Sequence, residues 1–356
     1  MLADKKKVCV IFGGQSPEHD ISLKSVTSVI NNLDKNKYEI IKIGITACGK
    51  WYLYEGADNK IECGDWEKDI AFLKSAVISP DRSDKAILVL DGDRVSKIYP
   101  DIVFPVLHGE YGEDGTIQGL LELSGIKYVG MGVLGSSVGM DKSFAKIVFK
   151  EAGIPQADWV LVRTENDIKD YIDTIEKKLG YPCFVKPCST GSSVGVGKAH
   201  NRQELISALS EAAKFDRKIL VEEYIKGHEV ECAVLGNTEP KAAEVGEILP
   251  TVEFYDFDAK YNDNSTVLKI PAQIPEKTRE KIREFSLRAF SAIDGQGLAR
   301  VDFFVKFDGG EVILNEINTM PGFTNISMYP KLWNAKGIGY SELLDELIKL
   351  GEKRVK

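Results

Sequence analysis

A short loop of glycine and hydroxyl residues is the first segment of this sequence whose composition suggests chemistry. It covers residues 189–195 and follows Lys186 and Pro187 at the end of a β-like run. Such a loop lets backbone amides approach an anion closely, and the lysine supplies positive charge for phosphate oxygens. Because the lysine precedes the loop, the GxxxxGK[ST] pattern of a Walker fold is disfavoured. A flexible connection with a solvated lysine explains the same residues, so phosphate binding stays open at this point.

Three oxygen-bearing side chains nearer the C-terminus indicate a divalent metal site. Asp302 lies in the segment ARVDFF, and Glu316 and Asn318 lie in VILNEINTMPG. Both segments are predicted strands, and residues two apart in a strand face the same side, so Glu316 and Asn318 project together. Oxygen ligands of this kind suit Mg²⁺, which keeps several waters and bridges nucleotide phosphates. A water-exposed acidic pair on an edge strand is the alternative.

A glutamate-rich segment is the third candidate. Glu222, Glu223 and Ile225 lie at the end of a predicted strand, and Glu229 follows after a glycine. Main-chain groups there can hydrogen-bond to adenine, and a carboxylate a few residues further on can accept hydrogen bonds from ribose hydroxyls. Taken alone, the segment is more typical of solvated glutamates.

Charge and composition exclude several classes of protein. Of 356 residues, 54 are acidic and 46 basic, so no broad basic field exists to hold nucleic acid or an anionic membrane. The apolar run at residues 8–12 is too short for a secretory signal, no later run approaches a membrane span, and a cytoplasmic protein is expected. The six cysteines and four histidines lack zinc or disulfide spacing, so buried reduced thiols are expected.

Strand and helix signals alternate along the first third of the chain. β-like runs are predicted at residues 7–12, 39–45, 86–90 and 102–107, and helices at residues 21–33 and 116–124. This alternation implies a largely parallel sheet covered by helices, with ligands at the carboxyl ends of the strands. Residues 13–22 and 108–115 are therefore expected at a functional rim.

Two further modules follow the glycine-rich stretch at residues 129–139. The second alternates predicted helices and strands, and the third combines four β-like runs with two helices. Within the third, residues 253–267 form a polar stretch dotted with aromatic side chains, which is typical of a lid. The predicted domains are residues 1–130, 131–220 and 221–356.

Eight sequence blocks together resemble the D-alanine:D-alanine ligases of the ATP-grasp superfamily. In chain order they are VIFGGQSPEHDIS, FPVLHGEYGEDGTIQG, GMDKSFAK, FVKPCSTGSSVGV, VEEYIKGHEVECAV, YDFDAKY, ARVDFF and NEINTMPGFTNISMYP. The resemblance covers nearly the whole chain. It implies an α/β protein in which a Rossmann-like, parallel-sheet domain precedes an ATP-grasp fold.

The resemblance implies an ATP site in the second and third modules. Lys142 and Lys186 correspond to lysines that bind the ATP phosphates, and Glu229 corresponds to a carboxylate that holds the ribose. The full set of implied nucleotide-binding residues is Lys142, Lys186, Ser193, Glu222, Glu223, Ile225, Glu229 and Lys260. Asp302, Glu316 and Asn318 correspond to the ligands of two Mg²⁺ ions, in place of which Mn²⁺ can serve.

The resemblance also implies a site for the amino-acid substrates. Glu18 corresponds to the residue that holds the ammonium of the first D-alanine, and Ser192 to a serine that bonds a lid tyrosine, here Tyr261. The implied catalytic residues are Glu18, Ser192, Tyr261, Arg300 and Gly322, the last two as oxyanion donors. The implied substrate-binding residues are Glu18, His108, Arg300, Gly322 and Ser327.

The implied activity is synthesis of the D-Ala-D-Ala dipeptide for peptidoglycan through a D-alanyl phosphate. The implied partners are the small molecules D-alanine and ATP and a second copy of the chain in a homodimer, with neither nucleic acid nor membrane.

The second substrate stays open because the chain departs from the commonest family pattern. Asn325 and Ile326 replace a Ser-His pair near the second subsite, and the N-terminal third resembles the D-alanine:D-serine ligases of vancomycin resistance. Lys260 and Tyr261 argue against a D-lactate ligase. A D-alanine:D-serine ligase is the alternative activity, and a non-ligating ATP-binding regulatory module is a further one.

Overall fold

The computed structural model of the chain describes residues 5–249 and 267–354, which form three β-sheets and the helices that cover them. The expected lid at residues 253–267, with Lys260 and Tyr261, lies outside the described residues apart from Val267, which begins a strand. In the described ranges, no helix is long and apolar enough to cross a membrane.

The first sheet has seven strands in the order β6-β5-β4-β3-β2-β1-β7. Its strands are β1 (Lys6–Gly13), β2 (Tyr38–Ile45), β3 (Trp51–Tyr54), β4 (Leu73–Ile78), β5 (Ile87–Asp91), β6 (Arg94–Ile98) and β7 (Ile102–Pro105). Its helices are α1 (His19–Asn32), α2 (Asp58–Glu62) and α3 (Thr116–Ser124).

Only part of this sheet is parallel. Strand β1 pairs in parallel with β2 and β7, as the alternation of strands and helices predicts. Strands β3 to β6 continue the sheet in antiparallel pairs, which is a correction to the largely parallel sheet expected. At the first of these pairs the reason is connection length: a five-residue link joins β2 to β3, and residues this few can only return the chain antiparallel.

The second sheet is antiparallel, with the strand order β10-β9-β11-β8. The elements that lead to it and build it are α4 (Val133–Met140), α5 (Lys142–Glu151), β8 (Trp159–Arg163), α6 (Ile172–Leu179), β9 (Cys183–Pro187), β10 (Gly197–Ala199), α7 (Arg202–Ala212) and β11 (Lys218–Glu223).

The third sheet is also antiparallel, with the order β14-β13-β12-β15-β16. Its elements are β12 (Gly227–Gly236), β13 (Lys241–Leu249), β14 (Val267–Lys269), α8 (Glu276–Ala292), β15 (Gly297–Lys306), β16 (Val312–Asn318), α9 (Met328–Ala335) and α10 (Tyr340–Glu352).

The domain boundaries expected at residues 130 and 220 can be compared with the ends of the strands and with the packing of the helices. Strand β11 extends past residue 220 to Glu223. Helix α5 contributes Ala145 and Phe149 to the same apolar cluster as Ile282 and Phe290 of α8, so the start of the second module packs on the third sheet. We therefore propose a boundary after Glu223 and keep the first boundary near residue 130.

All six cysteines are free, as the sequence predicts. Cys9, Cys183, Cys188 and Cys232 are buried, whereas Cys48 and Cys63 are exposed, so the expectation of buried thiols fails at those two positions.

An aromatic cluster centred on Trp66 stabilises the first domain. The Trp66 ring is fully buried and contacts the edges of Phe12 and Tyr54, with ring centroids 5.1 and 6.1 Å away. At Gly44, an added Cβ would lie 2.4 Å from the same ring, so the Trp66 ring fits here only because residue 44 is glycine.

We expect Trp66→Ala to lower the free energy of unfolding by roughly 3–5 kcal/mol, because it leaves a cavity in a closed cluster. Urea denaturation followed by circular dichroism measures the loss. Val95→Ala, at a residue that is 61% exposed, is the control and should change stability little. Equal stability of the two variants would contradict the role assigned to Trp66.

Candidate active site

A cleft of about 350 Å³ collects most of the predicted site residues. The second and third sheets, with the helices and loops that adjoin them, provide nearly all of its walls, and Glu113 reaches it from the first domain. The predicted residues that line it are Lys142, Lys186, Ser192, Ser193, Glu222, Glu223, Ile225, Glu229, Arg300, Asp302, Glu316 and Asn318. The three candidate motifs of the sequence therefore meet in one place.

Two lysines and a glutamate form a buried charged group in the wall of the cleft. The Glu222 carboxylate accepts from Lys186 Nζ at 2.5 Å and from Lys146 Nζ at 2.6 Å. Burial alone would raise the pKa of Glu222, but the two ammonium groups outweigh it and lower the pKa to about 2. Burial also opposes the charge on Lys186, and Glu222 outweighs that effect, so the pKa of Lys186 is raised. Glu222 and Lys186 are therefore both charged at neutral pH.

The start of helix α5 places Lys142 beside the glycine and serine loop. Asp141 caps the helix by accepting from the backbone amides of Ser143 and Phe144. Lys142 Nζ donates to the Thr190 carbonyl oxygen at 2.7 Å, and the Lys142 amide donates to the Cys188 carbonyl oxygen at 2.9 Å. Positive charge and a helix N-terminus thus lie next to the loop, an arrangement that suits phosphate oxygens.

The glycine and serine loop connects the cleft to the first domain. The Ser192 hydroxyl donates to the Glu18 carboxylate, a residue 174 positions away. Glu18 precedes α1 and fits between two glycines, because a Cβ at Gly109 or Gly191 would lie 2.4 or 2.5 Å from its carboxylate oxygen. The residue expected to hold the amino-acid ammonium therefore lies beside the residues expected to hold the nucleotide.

The part of the cleft near Ile225 is apolar. Ile225 packs with Ala157, Ile313 and Phe304 in a small buried cluster. The Glu223 carboxylate accepts from the Asp158 amide at 2.8 Å, so its side chain ties two segments together. An apolar wall beside main-chain polar groups can receive a flat heteroaromatic ring such as a purine.

Three carboxylates form a row across the third sheet. Glu231 on β12, Asp302 on β15 and Glu316 on β16 are direct cross-strand neighbours. Arg300 forms two hydrogen bonds with Asp302, from Nε at 2.8 Å and from Nη2 at 2.7 Å, and its Nε lies 3.0 Å from Glu231. Burial disfavours the Arg300 cation, but Asp302 and Glu231 outweigh burial and raise the pKa of Arg300 well above its usual value.

The carboxylate oxygens of this row supply part of the coordination shell that a divalent cation needs. Asp302 and Glu316 offer carboxylate oxygens, and Asn318 Nδ2 donates to Asp302 Oδ2 at 2.9 Å. In the described part of the chain, no group of three or more His, Cys, Asp or Glu side chains is placed to hold a metal. The Asn318 oxygen, waters and phosphates would have to complete the coordination, which is the pattern that Mg²⁺ favours.

Behind the cleft, His108 is fixed by hydrogen bonds at both ring nitrogens. Nδ1 lies 3.0 Å from the Met320 carbonyl oxygen, and Nε2 lies 3.0 Å from the Ser25 hydroxyl. A carbonyl can only accept, so Nδ1 carries the proton and Nε2 accepts from Ser25. Burial lowers the pKa of His108 against the opposing attraction of Glu18, so the ring is neutral at pH 7.

Glu113 holds the same loop from the other side. Its carboxylate accepts from the Met320 amide at 3.0 Å and from the Gly109 amide at 3.3 Å. Burial, followed by repulsion from Glu18, raises the pKa of Glu113 well above its usual value. The peptide groups on both sides of Met320 are thus bonded to the first domain.

The last two predicted residues lie in the turn after Met320. Ser327 Oγ accepts from the Thr324 amide at 3.0 Å, and Gly322 is close enough that an added Cβ would lie 2.9 Å from this oxygen. Neither residue lines the cleft itself, and His108 does not either. Glu18 reaches the cleft through Ser192.

Sequence reasoning missed three charged residues of the site: Lys146, Glu113 and Glu231. Glu231 carries a local signal, since it is two residues from Glu229 on a predicted strand and therefore faces the same side. Lys146 is four residues after Lys142, one helical turn further along the same face. For Glu113, the only signal in the sequence is its place in the block FPVLHGEYGEDGTIQG.

The protonation state of His108 predicts how stability depends on pH. The unfolded chain takes up a proton at this residue near pH 6.5, whereas the folded chain resists it, so stability is lost as the pH falls below about 6.5. The contribution is at most about 1.4 kcal/mol per pH unit. Urea denaturation between pH 7 and 5 should show a shallower pH slope for His108→Gln than for wild type.

His200→Gln is the matched control because His200 is exposed, and it should keep the wild-type slope. Identical slopes for wild type and His108→Gln would show that His108 is not held neutral.

Comparison with known proteins identifies the family. Residues 7–131 match the family model "D-ala D-ala ligase N-terminus" and residues 148–349 match "D-ala D-ala ligase C-terminus". The D-alanine–D-alanine ligase of Acetivibrio thermocellus is 53% identical, over 99% of this chain and 97% of that protein. The corresponding ligase of Ruminiclostridium cellulolyticum is 52% identical, over 98% and 96%.

Solved structures agree with the sequence matches. The VanG D-Ala:D-Ser ligase of Enterococcus faecalis superposes with a TM-score of 0.89 at 41% identity, over 98% of this chain and all of that chain. The D-alanine–D-alanine ligase of Coxiella burnetii superposes with a TM-score of 0.85 at 36% identity, over 99% and 95%. The chain therefore belongs to the D-alanine–D-alanine ligase family of ATP-dependent ligases.

Proposed function

We propose that the chain uses its cleft to join two D-alanine molecules at the expense of ATP, by way of a D-alanyl phosphate. The observation that carries the proposal is the contact between Ser192 and Glu18. It places a carboxylate suited to an amino-acid ammonium directly beside a loop suited to phosphate. An acyl phosphate needs this proximity, because the amino-acid carboxylate must reach the γ-phosphate.

The nucleotide would lie along the cleft from the apolar wall to the loop. Ile225 and its neighbours receive the adenine, and Glu229 on β12 accepts from the ribose. Lys142, Lys186 and the loop residues Ser192 and Ser193 face the phosphates. Ser193 has a positive φ of 61°, as does Ser192 at 46°, a conformation that turns successive backbone amides toward a common anion.

Asp302, Glu316 and Asn318 are the residues we propose as ligands of divalent ions, with Mg²⁺ as the physiological metal and Mn²⁺ as a substitute. Ions bound there would neutralise part of the charge of the triphosphate. In the structure, Arg300 donates hydrogen bonds to both oxygens of the Asp302 carboxylate. We propose that Arg300 releases Asp302 when substrates are present.

The chemistry then takes two steps. A carboxylate oxygen of the first D-alanine attacks the γ-phosphorus, ADP leaves, and D-alanyl phosphate forms. The amine of the second D-alanine attacks the activated carbonyl carbon, and the carbonyl oxygen becomes an oxyanion. As the peptide bond forms, phosphate leaves with the proton that the amine nitrogen loses. Arg300 and the Gly322 amide would donate to that oxyanion. His108 and Glu113 hold the loop that contains Gly322, so the amide is preorganised.

The second substrate is D-alanine rather than D-serine. The D-alanine–D-alanine ligases of Acetivibrio thermocellus and Ruminiclostridium cellulolyticum are 53% and 52% identical to this chain, whereas the D-Ala:D-Ser ligase is 41% identical and the D-alanine–D-alanine ligase of Coxiella burnetii 36%. Near the second subsite, Ser28 Oγ donates to Asn325 Oδ1 at 3.1 Å and Ser327 bonds Thr324. We propose that the Ser327 hydroxyl binds the carboxylate of the second D-alanine.

The roles of Lys260 and Tyr261, the homodimer and the cytoplasmic location stay predictions from the sequence. Closure of the lid over the acyl phosphate would exclude water, which otherwise hydrolyses it.

We expect the chain, given ATP, Mg²⁺ and equal concentrations of D-alanine and D-serine at neutral pH, to make mainly D-Ala-D-Ala. Mass spectrometry of the dipeptides and release of inorganic phosphate measure this. A large excess of D-Ala-D-Ser would overturn the choice of second substrate. Absence of phosphate release with ATP, Mg²⁺ and D-alanine would support the regulatory module instead.

We expect Arg300→Lys to lower kcat by about 10² to 10³, because lysine cannot present the same fork of donors to the oxyanion. The assay is steady-state phosphate release with saturating D-alanine. Arg288→Lys, on the exposed face of α8, is the matched control and should keep wild-type kcat. A kcat for Arg300→Lys close to that of wild type would remove Arg300 from the reaction.

A further inference from the structure

We propose that Lys146 is the permanent counter-ion of Glu222 and thereby releases Lys186 to bind the nucleotide phosphates. Lys146 is then a positioning residue, which acts on the nucleotide only through Glu222 and Lys186. The inference rests on the proposed nucleotide site and adds to it a residue outside the cleft.

The contacts of Lys146 keep it on Glu222. Its side chain is almost fully buried, Nζ lies 2.6 Å from Glu222 Oε1, and Nζ also donates to the Ala157 carbonyl oxygen at 3.4 Å. Its backbone carbonyl accepts from Gln156 Nε2 at 3.0 Å, which secures this part of α5. Lys146 therefore holds one oxygen of Glu222 with little freedom to leave it.

Lys186, unlike Lys146, lies at the surface of the cleft. It holds the other oxygen of Glu222 at 2.5 Å and lies 3.2 Å from Asn315 Oδ1. Lys186 and Glu222 line both the cleft and a smaller cavity behind it, whereas Lys146 lines only the smaller cavity. Lys186 can thus reach a ligand in the cleft, and Lys146 cannot.

The energetics of buried charge explain why two lysines are present. A buried carboxylate that loses its only partner costs several kcal/mol. If Lys186 were the only partner of Glu222, a phosphate in the cleft would have to compete with that cost. Lys146 removes this cost, because Glu222 stays paired with Lys146 when Lys186 turns toward the phosphates. The two lysines and Glu222 together retain one net positive charge.

The sequence position of Lys146 is consistent with this role. Lys142 and Lys146 are four residues apart on α5, where like charges ordinarily destabilise a helix. In this fold, each has its own acceptor, since Lys142 bonds the Thr190 carbonyl and Lys146 bonds Glu222. The helix therefore brings one lysine to the loop and the other to the buried carboxylate.

The test is ATP binding by titration calorimetry with MgCl₂ and without D-alanine, so that no turnover occurs. We expect Lys146→Met to raise the dissociation constant of ATP by about tenfold, as the loss of one charge-assisted contact implies. Lys146→Arg should retain wild-type affinity. Lys150→Met, at an exposed lysine on the same helix, is the matched control and should bind ATP as wild type does.

A double-mutant cycle separates this role from a general loss of structure. In a Glu222→Gln background no carboxylate remains at position 222 for Lys146 to pair with, so Lys146→Met should have no further effect on ATP affinity. An equal loss in both backgrounds, or no loss in either, would overturn the proposal. Lys146→Gln, which keeps a donor for Glu222 but removes the charge, serves in the same cycle if Lys146→Met does not fold.

The steady-state constants give a second readout. Lys146→Met should raise KM for ATP by about the same factor and leave KM for D-alanine unchanged. A merely structural role would lower the active fraction without separating the two constants. Dipeptide synthesis by the wild-type chain tests the proposed function, so a failure there is distinct from a failure of this inference.

Discussion

Buried charge is the constraint on which the arrangement of the cleft depends. Glu222 is buried between Lys146 and Lys186, and Asp302 is bonded to Arg300, in each case through contacts of 2.5 to 2.8 Å. The site that we propose for a triphosphate and a carboxylate contains lysine and arginine, and those buried cations need partners before the substrates arrive. The charged side chains of the cleft are therefore paired with one another, and we propose that substrate phosphates replace one partner of a pair while a neighbouring side chain compensates the other.

The connection between the first domain and the third sheet follows from the same need for satisfied polar groups. His108 and Glu113 bind the two sides of Met320, and the Phe323 amide donates to Ser25 at 3.4 Å. The turn that contains Gly322 is thus held by residues more than two hundred positions away in sequence. In the mechanism we propose, these contacts would keep a fixed spacing between the substrate residues of the first domain and the oxyanion donors of the third sheet and the turn after it.

Much of the fold could be predicted from the sequence. The helix over residues 116–124 begins and ends in the structure where the sequence predicts, because Gly115 and Gly125 both adopt positive φ at its ends. The parallel pairing of β1 with its neighbours followed from the alternation of strands and helices. Of the antiparallel strands, β5 was predicted, as the run at residues 86–90, whereas β3, β4 and β6 were not. Trp51–Tyr54 and Arg94–Ile98 are short and partly exposed and carry a weak period-two pattern.

By itself, the sequence determined which residue types are available and which of them share a face, since local spacing sets the helical or strand period. That was enough to bring Glu316 and Asn318 together and to place a lysine before the loop that we propose binds phosphate. Only the tertiary structure decided that Ser192 meets Glu18 across 174 positions and that Lys146 binds Glu222 behind the cleft. The physical reason is that such contacts depend on how three sheets pack against one another, and the cost of burying charge selects the packing in which each charge finds its partner.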